Sequence, residues 1–284
     1  MKTRIIDNLG QISENYDAIF SDVWGVIHDG YKQYRPAVLA LQAFRKNNKP
    51  VILISNAPRP SKLIPLQLNR LEIEPITYDE IVTSGDACIN IINTMGRKAY
   101  KLGPEKDLGL YDALNVDFVG INEAEYIVCS GPRDDLNDKV EDYRDELREM
   151  AKTKIPFVCA NPDRVVQMGD RLIPCAGALA DIYEEYGGKV IMPGKPNAPI
   201  YELTIQKAEN ILGRKLERSR ILCIGDGIQT DIQGAQNQGL DCLFVAGGIH
   251  AEELWGETSL DEAKTEAFLA QNKLYAKYAI AELK

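Results

Sequence analysis

Four short segments carry side chains that could do chemistry together. Asp22 ends the apolar run Ala18-Ile19-Phe20-Ser21, and Gly25 follows three residues later. A carboxylate at the end of a buried strand is a nucleophile, a metal ligand or a cap for the next turn, and this segment alone does not separate the three. Ser55-Asn56 ends a second run, Val51-Ile52-Leu53-Ile54. A hydroxyl and backbone N–H groups at such a place can hold phosphate oxygens, although a Ser/Asn turn is the better account of this segment taken alone. Lys195 stands between Gly194 and Pro196, just ahead of a helical pattern. It could set one positive charge on a phosphate or a carboxylate, against the ordinary alternative of a solvated lysine. Asp226 and Asp231 flank a turn directly after Ile221-Leu222-Cys223-Ile224-Gly225. Two acids held close repel unless a cation sits between them, and magnesium takes one or two carboxylates together with water and phosphate. Asp231 also reads as a first-turn helix residue favoured by the helix dipole. For Asp226 the metal is the better account.

The elements that must position these groups alternate. Continuous apolar runs suggest strands buried on both faces, as in a parallel sheet. Helical patterns at 37–47 and 197–212 lie between them. This alternation predicts βαβ units and an open α/β sheet, whose ligand site lies beyond the carboxyl ends of the strands. Asp22, Ser55 and Asp226 each stand at such an end. From 85 to 189 the texture changes: strand patterns at 98–102, 125–130 and 155–160 accompany a charged helix over 136–152. That stretch is long enough for a small α/β domain of its own, with crossings near 83–85 and 192–194 where glycine relaxes the backbone. The tail after His250, charged and alanine-rich over 260–284, reads as surface helix.

Composition narrows the function classes. The chain of 284 residues has a formal charge of −9, which argues against a nucleic-acid or anionic-membrane binder. No apolar run approaches a membrane span, and the start turns polar too early for a signal peptide, so the expected compartment is the cytoplasm. The six cysteines are scattered, several within apolar runs, which predicts buried reduced thiols. With only His28 and His250 available, a histidine-rich metal site is excluded, and any metal is a hard cation held by oxygen.

Taken in order, Ile19-Phe20-Ser21-Asp22-Val23-Trp24-Gly25-Val26, Ile54-Ser55-Asn56-Ala57-Pro58-Arg59, Met192-Pro193-Gly194-Lys195-Pro196 and Ile224-Gly225-Asp226-Gly227-Ile228-Gln229-Thr230-Asp231 resemble the motifs of the haloacid dehalogenase superfamily. The closer likeness is to its class IIA, or NagD-like, group of sugar-phosphate, nucleotide and phosphoglycolate phosphatases. It extends through Ile81-Val82-Thr83-Ser84, Ala160-Asn161-Pro162-Asp163 and Ile173-Pro174-Cys175-Ala176-Gly177-Ala178. The resemblance implies a Rossmann-like core, a parallel sheet with helices on both faces, formed by 1–84 and 190–284. An α/β class IIA cap is inserted at 85–189. It further implies a Mg²⁺-dependent phosphatase of a small phosphorylated metabolite, such as a sugar phosphate. Asp22 would be the nucleophile that becomes an aspartyl-phosphate. Ser55 and the Asn56 backbone would hold phosphoryl oxygens, and Lys195 would neutralise charge. Asp22, the carbonyl of Trp24 and Asp226 would bind the metal, with Asp231 in support. Arg59, Asn161, Asp163 and Gly177 would face the substrate, Asp163 serving either sugar hydroxyls or its own loop. Class IIA proteins often pair through their caps, so a homodimer is consistent with the likeness.

The departure lies at Trp24, where the family's phosphatases place a second Asp as general acid and base. Indole carries no proton to shuttle near neutral pH, a role typically worth about 10²- to 10⁴-fold. Three readings follow: a phosphatase with a weakened acid step, His28 or Asp29 standing in; a phosphotransferase; or a non-catalytic phosphometabolite-binding protein. Against a stand-in role, His28 reads as a solvent-facing loop residue.

Overall fold

The apolar runs become strands because their side chains find cover on both faces. The computed structural model describes residues 2–168, 171–247, 251–256 and 259–284; His250 lies outside the described residues. The chain divides into two compact units, the first made of 1–55, 65–82 and 201–284, the second of 56–64 and 83–200. The motif texture changes at 84/85 and 189/190, whereas the compact units change over at 55/56, 64/65, 82/83 and 200/201.

In chain order the strands are β1 (Arg4–Ile5), β2 (Ala18–Ser21), β3 (Val51–Ser55), β4 (Glu80–Thr83), β5 (Lys98–Leu102), β6 (Asp117–Phe118), β7 (Tyr126–Cys129), β8 (Phe157–Cys159), β9 (Val165–Met168), β10 (Arg171–Pro174), β11 (Val190–Ile191), β12 (Ile221–Gly225), β13 (Asp241–Val245) and β14 (Tyr278–Ile280). The first unit's sheet has the order β1-β14-β13-β12-β2-β3-β4. Its pairings from β1 through β3 are all parallel. β2 and β12 are central and side by side, and Ile19, Phe20, Leu222 and Ile224 are buried. Burying each such side chain contributes about 1.5–3 kcal/mol. The parallel α/β class read from the sequence is the class observed.

The second unit has its own parallel sheet, β11-β8-β7-β5-β6. Alternate residues of β7 serve two cores. Ile127 and Cys129 pack with Leu147, Leu179 and Tyr183, while Tyr126 and Val128 pack with Cys88, Leu110 and Val158. The period of two is the pleat of a strand covered on both sides. β9 and β10 form a separate antiparallel pair.

Two expectations are corrected. The tail is not helix throughout: a helix at Glu262–Gln271, capped by Asp261 accepting from the Lys264 N–H at 2.9 Å, gives way to β14. Tyr278, Ala279 and Ile280 are buried between β1 and β13, a strand too short to stand out from its charged flanks. The charged helix of the middle region also starts later, as a 3-10 turn at Val140–Tyr143 and then Arg144–Ala151. Upstream, the Asp134 carboxylate accepts from the Leu136 N–H at 3.2 Å and from Asn137 at 2.9 Å, and Asp138 accepts from the Asp134 N–H at 3.0 Å. Those side-chain bonds offer the backbone a turn in place of a helix. All six cysteines are buried and outside any disulfide. Among the described residues no helix is long and apolar enough to cross a membrane.

Candidate active site

Strand register brings the first unit's carboxylates together. Ser21 pairs with Ile224 across β2 and β12, and the Asp22 N–H continues the ladder by donating to the Ile224 carbonyl at 2.8 Å. Asp22 is thereby held at the end of β2, 8% exposed, beside the end of β12 where Asp226 follows. On the other side Leu53 pairs with Ser21, so Ser55 also ends a strand next to β2. After Asp226 the chain makes a π-helical turn at Ile228–Ile232, a widened turn common at functional sites. It carries the Asp231 carboxylate back to accept from the Gly227 N–H at 3.1 Å. One oxygen from each of Asp22, Asp226 and Asp231 lies within 4.8 Å of the others. An all-carboxylate donor set of this size suits a hard divalent cation.

The loop after Asp22 is fitted to this cluster. Gly25 has φ +82°, and a Cβ there would stand 2.2 Å from an Asp226 carboxylate oxygen, so the loop can pass the carboxylate only as glycine. Its N–H donates to the His28 carbonyl at 2.9 Å. The Trp24 ring lies against Gly30 and meets the His28 ring edge-on, with centroids 5.2 Å apart.

His28 is a correction: it is 1% exposed, not solvent-facing. Its Nδ1 accepts from the Gly30 N–H at 3.0 Å, which leaves the proton of the neutral ring on Nε2. Burial pushes its pKa down to about 4, with Asp29 opposing only in part. Burial alone would raise the Asp29 carboxyl, but the N–H groups of Lys32 and Tyr31, each 2.9 Å away, hold it below its ordinary range. Burial thus favours the neutral His28 ring, and the two N–H groups favour the ionised Asp29 carboxylate.

The second unit gathers a different set. Lys195 is 2% exposed, and its N–H donates to Asn56 Oδ1 at 2.8 Å. Asn56 Nδ2 donates to the Asp163 carboxylate at 2.8 Å and to the Lys195 carbonyl at 3.3 Å. Asn161 Oδ1 accepts from the Asp163 N–H at 3.1 Å, and the Gly177 N–H donates to the carbonyls of Asn161 and Asp163 at 2.9 and 3.1 Å. Asn56, Asn161, Asp163, Gly177 and Lys195 are therefore one hydrogen-bonded neighbourhood. Arg59 belongs to the same unit, and its charge reaches Asp107. Burial raises that carboxyl, and Ser130, Lys106 and Arg59 offset the rise in part. Arg164 pairs with Asp181 through two nitrogens at 3.0 and 2.8 Å. What sequence reasoning missed was the Asn56 side chain. Its only signal was a turn-forming residue after a strand.

Comparison with known proteins shows the family. The model of haloacid dehalogenase-like hydrolases matches residues 19–117, and a second one, HAD-hydrolase-like, matches 192–270. A solved hydrolase of the haloacid dehalogenase-like family from Brucella suis 1330 is 40% identical. It covers 99% of this chain and 100% of its own, with a TM-score of 0.87. The chain belongs to the haloacid dehalogenase-like hydrolase family, and its family-model matches and relatives place it in class IIA. An acid sugar phosphatase of Staphylococcus epidermidis is 26% identical over 249 residues, 84% of this chain and 90% of the relative. A solved structure from Cytophaga hutchinsonii, described as a possible sugar phosphatase, shares the fold at 18% identity, with 98% of both chains covered and a TM-score of 0.78.

Proposed function

We propose that this protein is a phosphoric monoester hydrolase acting on a small phosphorylated metabolite, a sugar phosphate being the class its curated relatives suggest. The observation that carries the reading is the meeting of Asp22, Asp226 and Asp231 at the carboxyl ends of adjacent parallel strands. Asp22 is the nucleophile. Its carboxylate oxygen bonds to phosphorus as the ester oxygen departs with its electron pair, and water then cleaves the aspartyl-phosphate to release phosphate and regenerate the carboxylate. Asp22, the Trp24 carbonyl and Asp226 would hold Mg²⁺, with Asp231 in support. The ion, when bound, offsets the repulsion between an anionic nucleophile and an anionic phosphate. Ser55 and the Asn56 N–H hold phosphoryl oxygens, and Lys195 adds a further positive charge. Residues 85–189 act as the cap that faces the substrate through Asn161, Asp163 and Gly177, and Arg59 is a further substrate contact. No membrane or nucleic acid is involved, the compartment is the cytoplasm, and cap-to-cap pairing would give a homodimer.

The test is turnover of p-nitrophenyl phosphate with Mg²⁺. Asp22→Asn is expected to lower kcat by about 10⁴-fold or more, as losing a nucleophile generally does. Equal rates for the two proteins overturn the mechanism. Trp24, standing where the family's phosphatases carry an acid, favours a second reading, transfer to an acceptor other than water. Phosphorus NMR with added glycerol separates them, because a hydrolase yields chiefly inorganic phosphate and a transferase chiefly glycerol phosphate.

A further inference from the structure

The Asn56 carboxamide is occupied by Lys195. Its oxygen takes the Lys195 N–H at 2.8 Å, and its nitrogen gives to the Lys195 carbonyl at 3.3 Å. This is how one peptide unit pairs with another, and it fixes the backbone on both sides of the Lys195 Cα. The orientation of the amide is determined by its partners. Reversed, it would set nitrogen against an N–H and oxygen against both a carbonyl and a carboxylate. The remaining proton on Nδ2 goes to Asp163 at 2.8 Å, which ties the Lys195 backbone to the loop at 161–163. Asn56 is 4% exposed. The approach depends on Gly194, where a Cβ would stand 2.7 Å from Asn56 Oδ1, 2.5 Å from Ser84 Oγ and 2.8 Å from Pro162 Cγ. A polar group this buried, bonded at three points to two distant segments, holds something in place.

We propose that Asn56 is a positioning residue: its side chain fixes the backbone from which Lys195 reaches the phosphoryl group and couples that backbone to the loop carrying Asp163. The inference rests on the role of Lys195 proposed above. If Asn56 acts through Lys195, removing it should matter only while the lysine is present.

The experiment is a double-mutant cycle with p-nitrophenyl phosphate and Mg²⁺, reading kcat and KM separately for wild type, Asn56→Ala, Lys195→Ala and the double variant. Asn56→Ala is expected to lower kcat about 10-fold with KM within about 2-fold, the signature of a misplaced group. Lys195→Ala is expected to lose about 100-fold, and the double variant no more than that. Losses that multiply in the double variant, or a wild-type kcat for Asn56→Ala, overturn the positioning role and leave Lys195 in the mechanism. An unimpaired Lys195→Ala overturns the role of Lys195 itself, and the positioning role with it. Should Asn56→Ala fail to fold, Asp163→Ala tests the same coupling. It removes one bond of the clamp, so a kcat loss of about 3-fold is expected that disappears in the Lys195→Ala background. If that loss persists there, the proposal fails.

Discussion

The carboxylate cluster of the first unit and the Asn56–Lys195 clamp of the second are built differently. In the cluster, Asp22, Asp226 and Asp231 bring three groups of one charge within 4.8 Å, placed by strand ends and a π turn. In the clamp, donors and acceptors of a buried amide are matched to the lysine backbone and to Asp163. The cluster concentrates like charge, a poor way to stabilise a fold and a good way to bind a cation. The clamp satisfies its own polar atoms and makes a rigid mount. A third arrangement serves as a control: Asp17 is held by Arg214 at 2.7 Å and Arg220 at 2.5 Å. There the protein supplies the countercharge itself.

Changing charge in each place tests the contrast. Asp226→Asn subtracts one carboxylate from the cluster. It is expected to lower kcat by about 100-fold and to abolish the stabilisation by Mg²⁺, about 2.7 kcal/mol when the ion stands at 100 times its Kd. Calorimetric melting with Mg²⁺ and with a chelator reads the second effect. A full Mg²⁺-dependent rise in Tm in the variant breaks the assignment.

Trp24→Asp adds a carboxylate beside the cluster and restores an acid. Turnover of alkyl phosphates, whose leaving groups need a proton, is expected to rise about 10-fold relative to p-nitrophenyl phosphate. An unchanged ratio in a folded, Mg²⁺-binding variant means another group already donates.

Asp17 gives the smallest effect. Hydrogen bonding by Arg220, followed by that of Arg214, more than offsets burial and lowers its pKa. The folded carboxyl therefore binds its proton less readily than the unfolded one. The pair stabilises above the ordinary carboxylate range, and that contribution fades as pH falls through the depressed value. Asp17→Asn should cost about 1 kcal/mol or less at pH 7, with the gap from wild type closing below about pH 4. A gap constant down to pH 3 in denaturant titrations contradicts the ion-pair account.

Legibility followed local signal strength. β2, β3, β12 and β13 are continuous apolar runs, and the sequence alone locates them almost to the residue. β1 and β14 are two and three residues long, and only their neighbours in the sheet make them strands. Asp22 and Asp226 stand out as acids at strand ends. His28 was misread because Asp29 and Gly30 follow it as in an exposed turn, while its burial comes from tertiary packing that includes the Trp24 ring.

By itself the sequence determined the α/β class, the acids and the lysine available for chemistry, and the missing acid at Trp24, because these are matters of residue type and short-range period. Only the tertiary structure decided which acids share a site and what Asn56 does. Strand register sets the one, and bonds across a separation of 139 residues set the other, a distance at which no local pattern carries information.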